Sequence, residues 1–362
     1  MNCLIFLGHP AHYHLFKNII IELKKNGNTV KVLSRTKDIL EELCLKDNIE
    51  FLNVLPEVRK KSVTSIVISY LRKYKRISRI IKDFKPDLLL GSEPSLTHLG
   101  KFYRIPSFVF SEDDVSIIPQ FAKIAYPFVS VILSPQSCNA GKWEFKKVGY
   151  NGFHKLAYLH PLAFKAQVEE IGELANRDYF ILRFAELVAY HDTNKSGITN
   201  EIARRLIAIL EPYGNVFITS ERPLAPEFEK YKLTANPSKI HHILAYAKMY
   251  IGDSQSMAVE AALLGTPGIR FNDFAGEIGV LNELEYNYKL TSSFKTNEVD
   301  RFFEKVNEML MNKALNAEYK SKQTRMLGEK INVLKFFVWF IENYPKSASI
   351  MKENPDYQYN FR

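Results

Sequence analysis

The segment Tyr250-Ile251-Gly252-Asp253-Ser254-Gln255-Ser256-Met257-Ala258-Val259-Glu260-Ala261-Ala262-Leu263-Leu264-Gly265-Thr266-Pro267 decides the reading of this chain. An apolar strand ends at Gly252, a small polar loop follows, and an alanine-rich helix runs to Gly265. Gly-Thr-Pro then turns the chain into another strand at 268–271. Ser254, Gln255, Ser256 and Met257 open the helix, where backbone N–H groups lack internal acceptors and the helix dipole favours negative charge. Phosphate binds well at such an end. Glu260 lies about one turn further on, where a carboxylate can accept hydrogen bonds from two ribose hydroxyls. The competing account is simple capping by Ser254 or Ser256, with Glu260 a surface acid.

Outward from this segment the same alternation fills both halves of the 362 residues. Apolar runs at 4–7, 30–33, 51–54, 88–90, 108–110 and 129–133 alternate with helical patterns. In the first of these, Leu15, Phe16, Ile19, Ile20 and Leu23 recur at helical spacing. The pattern restarts near 176, with strands at 179–184, 216–219, 249–251 and 268–271 and helices at 198–210, 239–247 and 257–264. Crossovers of this length predict parallel sheets covered on both faces. The expected organisation is a Rossmann-like domain over 1–160, a connector over 161–175, a second Rossmann-like domain over 176–325, and a helical tail over 326–362 that returns toward the first domain.

Ligands of open parallel sheets sit beyond the carboxyl ends of the strands. That rule singles out residues 8–14, 91–93, 111–114, 189–192 and 252–256. His9, His12 and His14 share the first loop, and His12 is the candidate general base. No third or fourth ligand accompanies these histidines and no Asp-x-Asp occurs, so neither metal nor cofactor is expected. Glu93, Glu112, Asp113 and Asp114 form an acidic group at strand ends. Glu93 and Asp113 are the alternative bases, and one of Asp113 and Asp114 is expected to cap the helix before Tyr126. In the second half, His191 beside Asp192 can contact phosphates or sugar. Arg183 can neutralise a departing diphosphate, or simply pair with Glu186.

The formal charge of +9 favours anionic partners. Part of the excess lies on a basic helix over 65–84, where Ile66, Ile68, Tyr70, Leu71, Tyr74, Ile77, Ile80 and Ile81 interleave with cations. It reads as a packed helix with a solvated basic face, or as a docking surface for an anionic membrane. Nucleic acid is not an expected partner, since no zinc-finger, helix-turn-helix or RNP pattern occurs. Cys3, Cys44 and Cys138 have no zinc or disulfide spacing. With neither a leader-like start nor an apolar stretch long enough to span a bilayer, the expectation is a cytoplasmic protein, peripheral at most on the inner face of the cell membrane.

The segment 250–267 resembles the C-terminal nucleotide site of GT-B enzymes. It is similar to the N-acetylglucosaminyltransferase that makes lipid II and to the non-hydrolysing UDP-N-acetylglucosamine 2-epimerases. Pro10-Ala11-His12-Tyr13-His14-Leu15-Phe16, Leu156-Ala157-Tyr158-Leu159-His160-Pro161 and Ala261-Ala262-Leu263-Leu264-Gly265-Thr266-Pro267 look like the bacterial and archaeal domain of unknown function 354. The resemblance implies a GT-B fold, two Rossmann-like domains with parallel sheets facing across a cleft. It makes the first the acceptor domain and the second the nucleotide-sugar domain, with Glu260 on the ribose. Pro10 and Ala11 stand where the lipid II enzyme has a glycine-rich run. Gly91-Ser92-Glu93 stands where the epimerases have Gly-Asp-Thr, and His191-Asp192 lacks their arginine.

The implied activity is transfer of a sugar, UDP-linked by the resemblance, from a nucleoside diphosphate to a cell-surface glycan or lipid-linked precursor. Two alternatives compete with it. A nucleotide-sugar 2-epimerase would draw on Glu93, Glu112 and His191. A non-catalytic protein would bind a nucleotide sugar or a glycan.

Overall fold

Cys3 to Leu7 is an unbroken apolar run, and a strand with no polar face has to be covered on both sides. The structure, a computed structural model, describes residues 1–37, 39–56, 63–186 and 196–362. In it this run forms β1 (Asn2–Leu7), with Cys3 to Leu7 wholly buried. The chain divides into two compact units, Met1–Tyr158 with Ile331–Arg362, and Leu159–Lys330.

The first unit is built on seven strands: β1, β2 (Thr29–Arg35), β3 (Phe51–Leu55), β4 (Leu88–Leu90), β5 (Ser107–Phe110), β6 (Val131–Pro135) and β7 (Lys147–Tyr150). Their order is β3-β2-β1-β4-β5-β6-β7, and every pairing is parallel. The helices are α1 (Pro10–Lys25), α2 (Leu40–Lys46), α3 (Val63–Phe84), α4 (Pro94–Tyr103), α5 (Pro119–Ala125) and the single turn α6 (Leu156–Leu159). Strand order reverses between β1 and β4, so the loops after these two strands open a crevice at the carboxyl edge. Gly91 follows β4 with φ +137°, and a Cβ there would sit 2.7 Å from the Phe6 carbonyl oxygen. Only glycine lets the two strand ends come this close.

Leu159–Lys330 holds a five-stranded sheet of order β12-β11-β10-β8-β9, again wholly parallel. Its elements are β8 (Tyr179–Phe184), α7 (Asn200–Leu210), β9 (Asn215–Ser220), α8 (Ile240–Tyr246), β10 (Met249–Gly252), α9 (Gln255–Leu264), β11 (Gly268–Phe271), α10 (Gly279–Asn282), β12 (Ser292–Phe294), α11 (Val299–Met311) and α12 (Leu315–Glu329). Here the order reverses between β8 and β10.

The C-terminal segment supplies α13 (Val333–Glu342) and α14 (Lys346–Glu353) to the first unit. Phe337 of α13 packs edge-on to Phe110 and Tyr150, with ring centres 5.2 and 5.0 Å apart. Glu342 accepts hydrogen bonds from Asn26 and Asn28 at the end of α1. The helix-stopping Gly27-Asn28 thus also fastens the tail.

The basic helix departs from a simple solvated face. Arg72, Lys75, Arg79 and Lys82 are exposed, but Lys73 is 3% exposed and its Nζ lies 2.6 Å from Glu93 Oε1. Lys73 stands four residues before the buried Ile77, so it falls on the core-facing stripe. Removing one member of a buried pair strands the other charge. Glu93→Gln is expected to cost about 3–5 kcal/mol, with the double variant Lys73→Met/Glu93→Gln recovering most of the loss. Urea unfolding followed by fluorescence of Trp143 and Trp339, both in the first unit, checks this. A stable single variant would show the pair to be solvated.

Candidate functional site

In the first unit the loop after β1 runs directly into α1. His9 caps the helix, its Nδ1 accepting from the Ala11 N–H at 3.2 Å, and Pro10 takes a first-turn position where no N–H is needed. His12, half-buried, turns back so that its Nδ1 accepts from the Gly8 N–H at 3.2 Å. Arg35, at the end of β2, donates from Nε to the Gly8 carbonyl at 2.8 Å. Burial, with His9 and Arg35 beside it, pushes the His12 pKa down to about 3, against a weaker opposing pull from Glu93.

This geometry bears on the role expected of His12. A neutral imidazole whose Nδ1 accepts a hydrogen bond carries its proton on Nε2. The ring therefore presents a donor at Nε2, while the Nδ1 lone pair is engaged by the backbone.

Glu93 is arranged differently from a base. Burial alone would raise its pKa, but the Lys73 ammonium and hydrogen bonds from Lys73 and Ser95 hold it below the usual carboxylate range. Its carboxylate caps α4 through the Ser95 N–H. In the loop after β5, Glu112 accepts from the His154 N–H at 2.7 Å and pairs with Lys155. Asp114 accepts from the Asn139 N–H at 2.7 Å, and Asp113 is exposed. Neither aspartate caps α5, whose N-cap is Ile118 with no side-chain bond. The sequence places both ahead of that helix, but the chain makes a further turn before it begins.

In the second unit β10 ends at Gly252, and Ser254 caps α9 by accepting from the Met257 N–H at 3.4 Å. Gln255 and Ser256, the first two helical residues, present their N–H groups outward from the helix end. Met257 is 8% exposed, so its side chain belongs to the core while its backbone serves the turn. Asp253 braces the loop from below. Wholly buried, it accepts from the Ala185 N–H at 2.6 Å and the Ile198 N–H at 3.1 Å, and burial lifts its pKa to about 6. Glu260 is not a solvated acid: its side chain is 12% exposed, and Oε1 lies 3.3 Å from Nε2 of His241 on α8.

Arg183, at the end of β8, pairs with Glu221 rather than Glu186, whose own N–H donates to the same Glu221 carboxylate. Among the described residues its Nε has no hydrogen-bond partner. Strand register sets Gly252 between Arg183 on β8 and Arg270 on β11. Arg270 is wholly buried, and among the described residues none of its three side-chain nitrogens has a hydrogen-bond partner. An arginine inside the otherwise apolar run Gly268-Ile269-Arg270-Phe271 was the signal for it. The second unit thus brings Arg183, Ser254, Gln255, Ser256, Met257 and Glu260 to one sheet edge and its helix. The first unit gathers His12 and Glu93 at another edge. His191 and Asp192 lie outside the described residues. Among the described residues no group of three His, Cys, Asp or Glu side chains could hold a metal ion, and no helix is long and apolar enough to cross a membrane.

Residues 4–110 match the family model described as glycosyl transferase 4-like. No curated protein sequence matches the chain. Solved structures similar to it over most of its length include a co-structure of S. aureus MnaA with UDP, at TM-score 0.68 and 11% identity, covering 96% of this chain and 97% of that one. UDP-GlcNAc 2-epimerase from Neisseria meningitidis bound to UDP-GlcNAc aligns at TM-score 0.63 and 16% identity, covering 89% and 94%. The spinosyn rhamnosyltransferase SpnG complexed with spinosyn aglycone aligns at TM-score 0.60 and 13% identity, covering 94% and 99%. At these identities the likeness defines the fold: two Rossmann-like domains of the GT-B class.

The histidines give the first unit a pH signature. Burial also lowers the His154 pKa, to about 4. Both rings stay neutral in the folded chain over a range where an unfolded histidine gains its proton near pH 6.5. Their contribution to stability is present above that pH and is lost as pH falls toward 4. Asp253 in the second unit acts in the opposite sense, because a raised carboxyl pKa favours the folded state as pH falls from about 6 toward 4. Urea midpoints read by tryptophan fluorescence from pH 7 to 4.5 should fall less steeply for His12→Gln than for wild type. Parallel curves would mean that His12 is not held neutral by the fold.

Proposed function

We propose that this chain is a metal-independent glycosyltransferase of the GT-B class that takes a nucleoside-diphosphate sugar, UDP-linked, in its second unit. The observation that carries this reading is the start of α9, where the N–H groups of Gln255 and Ser256 point out of a loop braced by Asp253 and flanked by Arg183. Glu260 lies six residues beyond Ser254, roughly 9 Å along the helix axis. That separation suits a carboxylate for the ribose while the phosphates sit at the helix end. His241 orients the carboxylate for this role.

The first unit takes the acceptor, a glycan or lipid-linked precursor. The acceptor hydroxyl gives its proton to a carboxylate while its oxygen attacks the anomeric carbon. The bond from that carbon to the β-phosphate oxygen breaks, and the nucleoside diphosphate leaves with the electron pair. Asp113, exposed in the loop after β5, is the base in this reading. His12 donates a hydrogen bond from Nε2 to the acceptor. The helix dipole and Arg183 stabilise the departing charge. The ion pairs of Glu93 with Lys73 and of Glu112 with Lys155 weigh against the epimerase reading, which draws on both carboxylates together with His191. Ile68, Tyr70 and Leu71, exposed on α3 beside its cations, support contact with an anionic membrane surface carrying a lipid-linked acceptor.

Calorimetric titration with UDP tests the donor site. Wild type is expected to bind UDP, and Glu260→Gln to bind it more weakly by about 1.5–3 kcal/mol with its folding unchanged. Equal binding by both proteins removes Glu260 from the site. No binding of any nucleoside diphosphate by wild type sinks the nucleotide reading and leaves a glycan-binding protein.

A further inference from the structure

Arg270 has no place in the account so far, and its position in the second unit is costly. A guanidinium has five N–H donors and keeps its charge. Enclosing it without a partner costs several kcal/mol, which an apolar side chain of similar volume would avoid. Burial lowers its pKa to about 10, which still leaves it charged at neutral pH. Its strongest charged neighbour is Glu285, which makes no ion pair with it and accepts instead from the N–H and hydroxyl of Ser293.

The strand register tells where a partner would come from. Arg270, Gly252 and Arg183 are paired across β11, β10 and β8, so the three project to one face of the sheet. The two arginine Cα atoms are two strand spacings apart, roughly 10 Å. Gly268 lies on the same face as Arg270, and a Cβ on it would sit 3.9 Å from Ala261 Cβ of α9. The arginine row therefore lies on the face that α9 covers, and Gly252 at its centre leads directly into the Ser254 cap. Tyr286 and Glu277, whose charges also act on Arg270, are exposed.

We propose that Arg270 is a substrate-binding residue, and that its guanidinium is completed by an oxyanion, phosphate or carboxylate, of the ligand held at the start of α9. The inference rests on the nucleotide-sugar reading of that helix and adds to the half-buried Arg183 a wholly buried cation on the opposite side of Gly252. A phosphate oxygen and the carboxylate of an acidic donor sugar have the same chemistry toward a guanidinium fork.

Calorimetry on wild type, Arg270→Met and Arg270→Lys separates these sources, with UDP, UDP-N-acetylglucosamine, UDP-glucuronate and inorganic pyrophosphate as ligands. The methionine variant should melt no lower than wild type without ligand and bind about 10–100-fold more weakly. An equal loss for all four ligands assigns Arg270 to phosphate, and a loss confined to UDP-glucuronate assigns it to a sugar carboxylate. If the methionine variant binds every ligand as wild type does, the inference falls and the nucleotide site stands. If wild type binds pyrophosphate but no nucleotide, and the variant loses it, the anion site stands and the nucleotide reading falls. Wild type binding none of the four overturns both. Should the methionine variant fail to fold, the lysine variant decides, because it keeps the charge without the fork. It should bind roughly tenfold more weakly, and wild-type affinity in it overturns the inference.

Discussion

Every strand pairing in both sheets is parallel, and each return of the chain has to cross a face of the sheet. Both faces are therefore covered and apolar, and polar chemistry collects at the carboxyl edges where strands give way to loops. The buried run Cys3–Leu7 shows the constraint in the first unit, and Tyr250 with Ile251 shows it in the second. The loops after Leu7, Leu90 and Gly252 inherit the polar residues for that reason.

Charge that enters these interiors is handled in two ways. Lys73 and Glu93 meet as a buried pair that joins α3 to the start of α4. Asp253 gives its carboxylate to two backbone N–H groups and holds the loop ahead of α9 in shape. These are framework charges: each is satisfied inside its own unit, and each positions a strand-end loop. Arg270 stands apart because, among the described residues, none hydrogen-bonds its guanidinium.

Much of the fold was legible in the sequence because parallel α/β architecture writes itself in long, repeated patterns. The helix-spaced residues Leu15, Phe16, Ile19, Ile20 and Leu23 are all buried on α1. The segment 250–267 is strand, cap and helix, the helix ending in a left-handed Gly265 at φ +70° before the next strand begins at Gly268. Strands β7 and β12 were not legible, since Lys147–Tyr150 and Ser292–Phe294 are short, mixed in polarity and recognisable only once their neighbours are in place. The site was legible by position more than by role. Strand ends named His12, Glu93, Asp113 and Arg183, but partners remote in sequence decide what each can do. Lys73 claims Glu93 from 20 residues away, and Glu221 claims Arg183 from 38. The tautomer of His12 depends on a backbone N–H that no residue pattern reveals.

The central claim is that the start of α9 is an anion site built for a nucleoside diphosphate. A crystal structure of the protein soaked with UDP tests it most directly. The account predicts phosphate density against the N–H groups of Gln255 and Ser256, with the ribose hydroxyls on Glu260. UDP seated elsewhere, or a helix start occupied only by solvent at saturating UDP, would contradict it.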